Sequence, residues 1–131
     1  SSKGKFMNQT LVNAVKNLIR NGTRYNVEAL DSLYHPDLNI GRLENDDQVL
    51  VINKDENMAF FREKREQKAE SLSTDAEYLY AHASGDTGHV AVKRSMQLKD
   101  RYEHLIYNLV LRKVDERWLV ISEFVFPKDT E

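Results

Sequence analysis

Two charges stand on apolar, strand-like runs of this 131-residue chain, where a charge needs a partner, a ligand or a route to water. Glu123 falls in "ERWLVISEFVF". By strict alternation it shares a side with Leu119, Ile121 and Val125, opposite Trp118, Val120, Phe124 and Phe126. Arg94 stands in line with Val90, Val92, Met96 and Leu98. A carboxylate can serve as acid, base or counter-ion, and a guanidinium can grip an anion through its fork of N–H donors. Three roles are open to the two: a structural ion pair within the subunit or across a dimer, contact with a ligand, or catalysis. The ion pair is the favoured one. A second constellation is Tyr78-x-Tyr80-x-His82. Alternation puts all three on one face, which suits a planar ligand by stacking plus a hydrogen bond. The same stripe suits a dimer interface, where tyrosines are enriched. Asn108, an amide at a strand centre, is either a ligand donor or bonded to a neighbour. His35, just before Pro36, is placed to meet helix-end carbonyls rather than to move protons.

Other chemistries find no residues. The histidines at 35, 82, 89 and 104 form no i, i+4 pair and no recognisable ligand set, so no metal and no cofactor is expected. With no cysteine there is neither thiolate nor disulfide. No G-x-S-x-G signature occurs, and "SGDTG" lies between strands, without the strand-to-helix setting of a phosphate loop. The net charge of −2 has its signs interleaved, which leaves no footprint for nucleic acid. The run "REKREQKAE" reads as a solvated helix surface. No apolar run approaches the roughly 18 residues of a membrane-spanning helix. A cytoplasmic setting is favoured over a secreted or periplasmic one. Ser1-Ser2 without a methionine leaves room for trimming.

The elements that must position these residues follow from periodicity. Residues 1–7 form a loose leader, and 8–131 form one domain. Asn8 can cap a helix whose apolar face is Leu11, Val15, Leu18 and Ile19, stopped at Asn21-Gly22. A second helix starts at Asn26, carries Val27, Leu30, Leu33 and Tyr34, and ends before Pro36. Residues 37–43 and 48–53 flank the turn "ENDD" as a hairpin. Asn53 and Glu56 form a capping box for a third helix running towards Glu70, with Phe61 on its apolar side. Then the period changes to two, giving strands at 76–84, 89–98, 104–114 and 117–126. Short links between them mean antiparallel pairing.

Helices followed by an antiparallel sheet make an α+β layer fold. Neither face of strand 104–114 is properly polar, and three short helices can cover one face only. The other is expected to meet a second copy, giving a two-fold homodimer through the sheet. Curling of long strands away from the helices leaves a hollow, the default ligand site.

The element order resembles the nuclear-transport-factor-2-like superfamily, with its cone-shaped, cystatin-like α+β fold. Ketosteroid isomerase, the SnoaL-like polyketide cyclases and scytalone dehydratase are members. "VEALDSLYHPDLNI" and "LVLRKVDERWLVISEFVF" are similar to segments of a branch labelled lumazine-binding. Glu116-Arg117 stands where Gly and a small spacer are usual, which implies a different turn. The resemblance spans about Thr10 to Phe126. It implies that Trp118 packs towards the helices, with Phe61 and Tyr34 in the cavity core. Glu123 would then point away, onto the dimer face. It also places the isomerase base near Arg42, which cannot abstract a proton at neutral pH. Arg42 is instead a candidate to hold an anion. The reading is a small-molecule-binding domain without established catalysis. Tyr78, Tyr80, His82, Arg94, Asn108 and Arg42 are its candidate ligand contacts. The alternatives are a cyclase, isomerase or dehydratase using acid–base chemistry, and a protein-association module.

Overall fold

The computed structural model describes residues 7–97 and 102–128. Most of the expected leader and the connection after the fourth strand lie outside them. In chain order the elements are α1 (Gln9–Thr23), α2 (Val27–Leu33), β1 (Tyr34–Leu43), β2 (Val49–Asn53), α3 (Lys54–Glu66), β3 (Glu77–Ser84), β4 (Thr87–Gln97), β5 (Tyr102–Val114) and β6 (Arg117–Lys128). No described helix is long and apolar enough to cross a membrane.

Local chemistry accounts for the helix ends. The Asn8 side chain accepts from the backbone N–H of Leu11 and caps α1. Asn53 and Glu56 form the reciprocal capping box of α3, each side chain accepting from the other residue's N–H. That helix ends at Glu66, four residues short of the expected Glu70. Helix α1 runs past Gly22 to Thr23, and the left-handed residue follows at Tyr25. Helix α2 ends at Leu33. Its last carbonyls are met by Lys54 rather than His35: Lys54 Nζ donates to Asp31 O at 2.8 Å and Tyr34 O at 3.0 Å.

The six strands form one sheet in the order β2-β1-β6-β5-β4-β3. The hairpin β1–β2 and the meander β3–β6 are antiparallel, while β1 joins β6 in parallel. Asp115 and Glu116 both take positive φ, 50° and 64°, in the two-residue turn between β5 and β6. That is the mirror-image turn whose twist matches a hairpin.

Two extra residues decide which side chains face which way. Val110 pairs with Ser122 and Leu111 with Val120, so Ile121 bulges from β6. Tyr78 pairs with Val92 and Tyr80 with Ala91, so Leu79 bulges from β3. Each bulge puts two residues opposite one and inverts the alternation beyond it.

The helices cover one sheet face. Leu11, Val15, Leu30, Val90, Val92 and Leu111 are essentially inaccessible at the seam, each contributing about 1.5–3 kcal/mol by burial. Gly88 lets α1 approach β4: a Cβ there would lie 2.6 Å from Leu11 Cδ2 and 3.0 Å from Cδ1. Because Leu11 is enclosed on all sides, Gly88→Ala is expected to cost about 1–3 kcal/mol by overpacking. Urea unfolding of the variant against the wild type checks this.

Candidate functional site

Between the helices and the curled sheet lies a cavity of about 650 Å³. Its floor is a lattice of inward side chains. One row across the sheet is Ile40, Glu123, Leu109 and Val90, and the next is Arg42, Val125, Tyr107 and Val92. Arg94, opposite Leu105 on β4, stands one row further. Asn57, Phe60, Phe61 and Lys64 of α3 face these rows from above. The segment 67–76 forms a strap beside the cavity, with Leu72 in the lining. Tyr25 Oη donates to Glu70 O at 3.1 Å, and Leu72 N to Thr23 O at 3.1 Å. Arg94 donates through Nε to Asp75 O at 3.4 Å and through Nη2 to Ser73 O. Leu50, Phe60 and Leu72 line the cavity yet are about half exposed, at 52%, 49% and 43%, and so mark its opening.

Glu123 is the correction that matters most. It lines the cavity instead of pointing away from it. Val120 is buried in the core, and with Ile121 bulged out, Glu123 and Val125 turn to the side of Val120. Phe124 and Phe126 go to the outer face, their ring centroids 6.1 Å apart. The part of Glu123 left accessible faces the cavity. Enclosure of the carboxylate pushes it up to about 7, against the pull of Arg94 and Arg42. Neither arginine forms an ion pair with it within 4.0 Å among the described residues. Arg42 is a diagonal neighbour, at a spacing of roughly 7–8 Å, and Arg94 stands two strands away on β4, so both act on the carboxylate without contact.

The surrounding groups are polar and mostly enclosed. Burial pushes the Tyr34 hydroxyl far up, and the Glu123 charge adds to it. Tyr107 is pushed up to about 12, again by burial and then by Glu123. Burial lowers Arg94, while nearby Tyr107, Tyr78, Asp75 and Glu123 oppose that shift. Asn57 is buried with its side chain against the Tyr34 hydroxyl, which it pulls back down, though its amide nitrogen meets no acceptor at full hydrogen-bond geometry. Among the described residues no group of three acidic or histidine side chains stands together to hold a metal.

Of the candidate residues, Arg94, Arg42, Tyr34 and Phe61 line this space. Tyr80, His82 and Asn108 do not. The Leu79 bulge breaks the stripe: Tyr78 packs inward against the core, under the Lys16 ammonium. Tyr80 and His82 lie on the outer face with His89, whose ring is 5.3 Å from Tyr80. Asn108 is there too, 3.2 Å from His89 Nε2. Trp118 packs against the core beneath Lys113 but does not reach the cavity wall. Sequence reasoning misses Tyr107 and Asn57. Tyr107 is visible in alternation with Leu105 and Leu109. Asn57 carries a weaker signal, an amide one helical turn before Phe61 on the apolar side of α3.

The raised carboxyl makes stability depend on pH in a defined direction. Unfolded, Glu123 loses its proton near 4.5; folded, it holds it to about 7. Between those values the folded state carries the extra proton, so stability falls as pH rises. The penalty is absent at pH 4 and complete by pH 8. Moving a titration midpoint by one pH unit is worth about 1.4 kcal/mol, which puts the full penalty on the order of 3–4 kcal/mol. Glu123→Gln is therefore expected to match the wild type at pH 4 and exceed it by about 3 kcal/mol at pH 8 in urea unfolding. A difference that does not change with pH would contradict the enclosed carboxyl.

A family model described as a SnoaL-like domain matches residues 11–123. No curated protein matches the chain. Among solved structures, an NTF2-like protein from Cytophaga hutchinsonii superposes with a TM-score of 0.72 at 20% identity, covering 93% of this chain and 100% of that one. An NTF-2 like protein of unknown function from Silicibacter pomeroyi gives 0.70 at 15% identity, over 90% and 92% of the two chains. A ketosteroid isomerase-like protein from Erwinia carotovora atroseptica gives 0.62 at 17%, over 95% and 100%. At these identities the structures show a shared fold. With an α+β architecture of three helices on a curved six-stranded sheet, and a family match over most of its length, the chain belongs to the SnoaL-like domain family.

Proposed function

We propose that the chain is a small-molecule-binding domain whose ligand occupies the cavity between helices and sheet. The observation that carries this reading is the cavity itself. It holds about 650 Å³ behind a defined mouth, well within the range of about 300–1,000 Å³ typical of ligand pockets. Its walls are apolar, from Leu18 and Ile19 to Phe61 and Leu109, and its polar groups gather around Glu123. A planar ring would fit such walls. A protein-association module would instead be expected to fill or collapse this space.

A second reading, an acid–base enzyme, is favoured by one observation. A carboxyl pushed up to about 7 can both give and take a proton at neutral pH. Tyr34 and Tyr107 stand close enough to feel its charge and could donate to a developing oxyanion. Binding without catalysis remains the first reading because no histidine or free second carboxylate among the described residues stands with Glu123 in the cavity. No described histidine lines the cavity, and the other lining carboxylate, Glu56, is engaged in the capping box of α3.

The outer sheet face is proposed to bind a second copy. Phe124 is exposed there, and its ring lies against Gly41 and near Val49 at the sheet edge, extending an apolar surface. An isologous pair would cover this face on both subunits.

Two measurements test these readings. The probe 1-anilinonaphthalene-8-sulfonate is expected to brighten on binding the wild type, and Ile52→Trp, which fills the cavity near its mouth, is expected to weaken it at least about fivefold. Equal binding by both proteins would place the probe elsewhere and remove the pocket reading. Sedimentation at micromolar concentration is expected to give a dimer; a clean monomer would remove the sheet-to-sheet assembly.

A further inference from the structure

The groups that reach the cavity are donors with too few acceptors. Asn57 is 6% exposed and lines the cavity, and its amide nitrogen, beside the Tyr34 hydroxyl, meets no acceptor at full hydrogen-bond geometry. A buried donor left unmet costs about 1–3 kcal/mol, which a ligand acceptor would restore. Arg94, 7% exposed, has no carboxylate within 4.0 Å among the described residues. Its Nε and Nη2 are used on the strap carbonyls of Asp75 and Ser73, while Nη1 makes no hydrogen bond among the described residues. Arg42 and Lys64 add positive charge to the lining. Against these donors the negative groups are few: Glu56 is committed to its capping box, which leaves Glu123.

We infer that the cavity takes an apolar organic acid, its carboxylate turned inward to Arg94 and to the unmet amide of Asn57, beside Glu123. The inference rests on the small-molecule-binding reading above and names its ligand class. Arg94 supplies the counter-charge and Asn57 the directed hydrogen bond. The apolar walls take the rest of the molecule.

The same arrangement links binding to a proton. The charged and titratable groups that Glu123 feels are Arg94 from β4, Tyr107 from β5, Arg42 from β1 and Tyr34 where α2 meets β1. Lys64 and Glu56 of α3 face the same space. A second carboxylate entering it disfavours ionisation of both. The incoming one is held by Arg94, and Glu123 is the one whose enclosure already favours the proton. Glu123 therefore takes up a proton as the acid binds. Affinity for a carboxylate should rise as pH falls from 8.5 to 5.5, where a permanently ionised Glu123 would leave it unchanged.

The test uses the full chain with 2-naphthoate and the apolar 2-methylnaphthalene, followed by probe fluorescence at pH 5.5, 7.0 and 8.5. The expected result is binding of 2-naphthoate about tenfold tighter at pH 5.5 than at 8.5, with 2-methylnaphthalene unaffected by pH. Glu123→Gln should bind 2-naphthoate tightly at all three values, and Asn57→Ala should weaken it about tenfold while leaving 2-methylnaphthalene unchanged. If 2-methylnaphthalene binds as tightly as 2-naphthoate at every pH, the carboxylate subsite is overturned and the pocket reading stands. If 2-naphthoate binds without pH dependence in the wild type, the proton linkage is overturned. If neither probe binds at its solubility limit, the pocket reading fails and the inference with it.

Discussion

One unpaired residue sets the character of this protein. Ile121 bulges from β6 between Val120 and Ser122, and the alternation of the strand is inverted from there to the C-terminus. Without it, Glu123 would face outward and the phenylalanines at 124 and 126 would face the helices. With it, the rings go outside and a carboxylate enters an apolar enclosure. Burying a charge without a close partner is expensive, and the expense appears as a carboxyl that keeps its proton to about 7. Bulges recur next to functional sites because they re-aim a side chain without breaking the sheet.

The rest of the site is built around that placement. The rows of the sheet bring Arg42 and Tyr107 diagonal to Glu123, close enough to act on its charge and too far to pair with it. The helices do the complementary work. The α3 capping box fixes the start of the helix that carries Asn57 and Phe61 over the floor. Lys54 ties that same helix start to the end of α2, and so to Tyr34. Arg94 is shared between the cavity and the strap, since its donors hold the carbonyls of Ser73 and Asp75. The cavity lining and the strap are thus joined in one side chain.

Much of the fold is legible in the sequence because it rests on local rules. The 3.6-residue spacing of Leu11, Val15, Leu18 and Ile19, the Asn53–Glu56 capping box and the turn before Arg117 each have a short-range cause. The hollow follows from the layer arrangement, Arg94 stands out as a charge on an apolar strand face, and Arg42, Tyr34 and Phe61 are placed by the family resemblance. What fails is parity carried through a bulge. A strand's faces can be read by alternation only while each residue has one partner, and neither Leu79 nor Ile121 announces in its own identity that it will be skipped. Hence alternation assigns Glu123 to the wrong face and groups Tyr78 with Tyr80 and His82. Asn108 misleads for another reason: an amide in mid-strand looks the same whether its partner is a ligand or His89.

Whether Glu123 is an enclosed carboxyl inside the cavity can be read from its own side-chain carbon, followed through a pH titration by NMR. Selective labelling, with Glu123→Gln to assign the signal, isolates the one group. A midpoint near 7 is the expected result. A midpoint near the ordinary glutamate value of 4.5 would contradict it, because enclosure would then leave no net mark on the carboxyl.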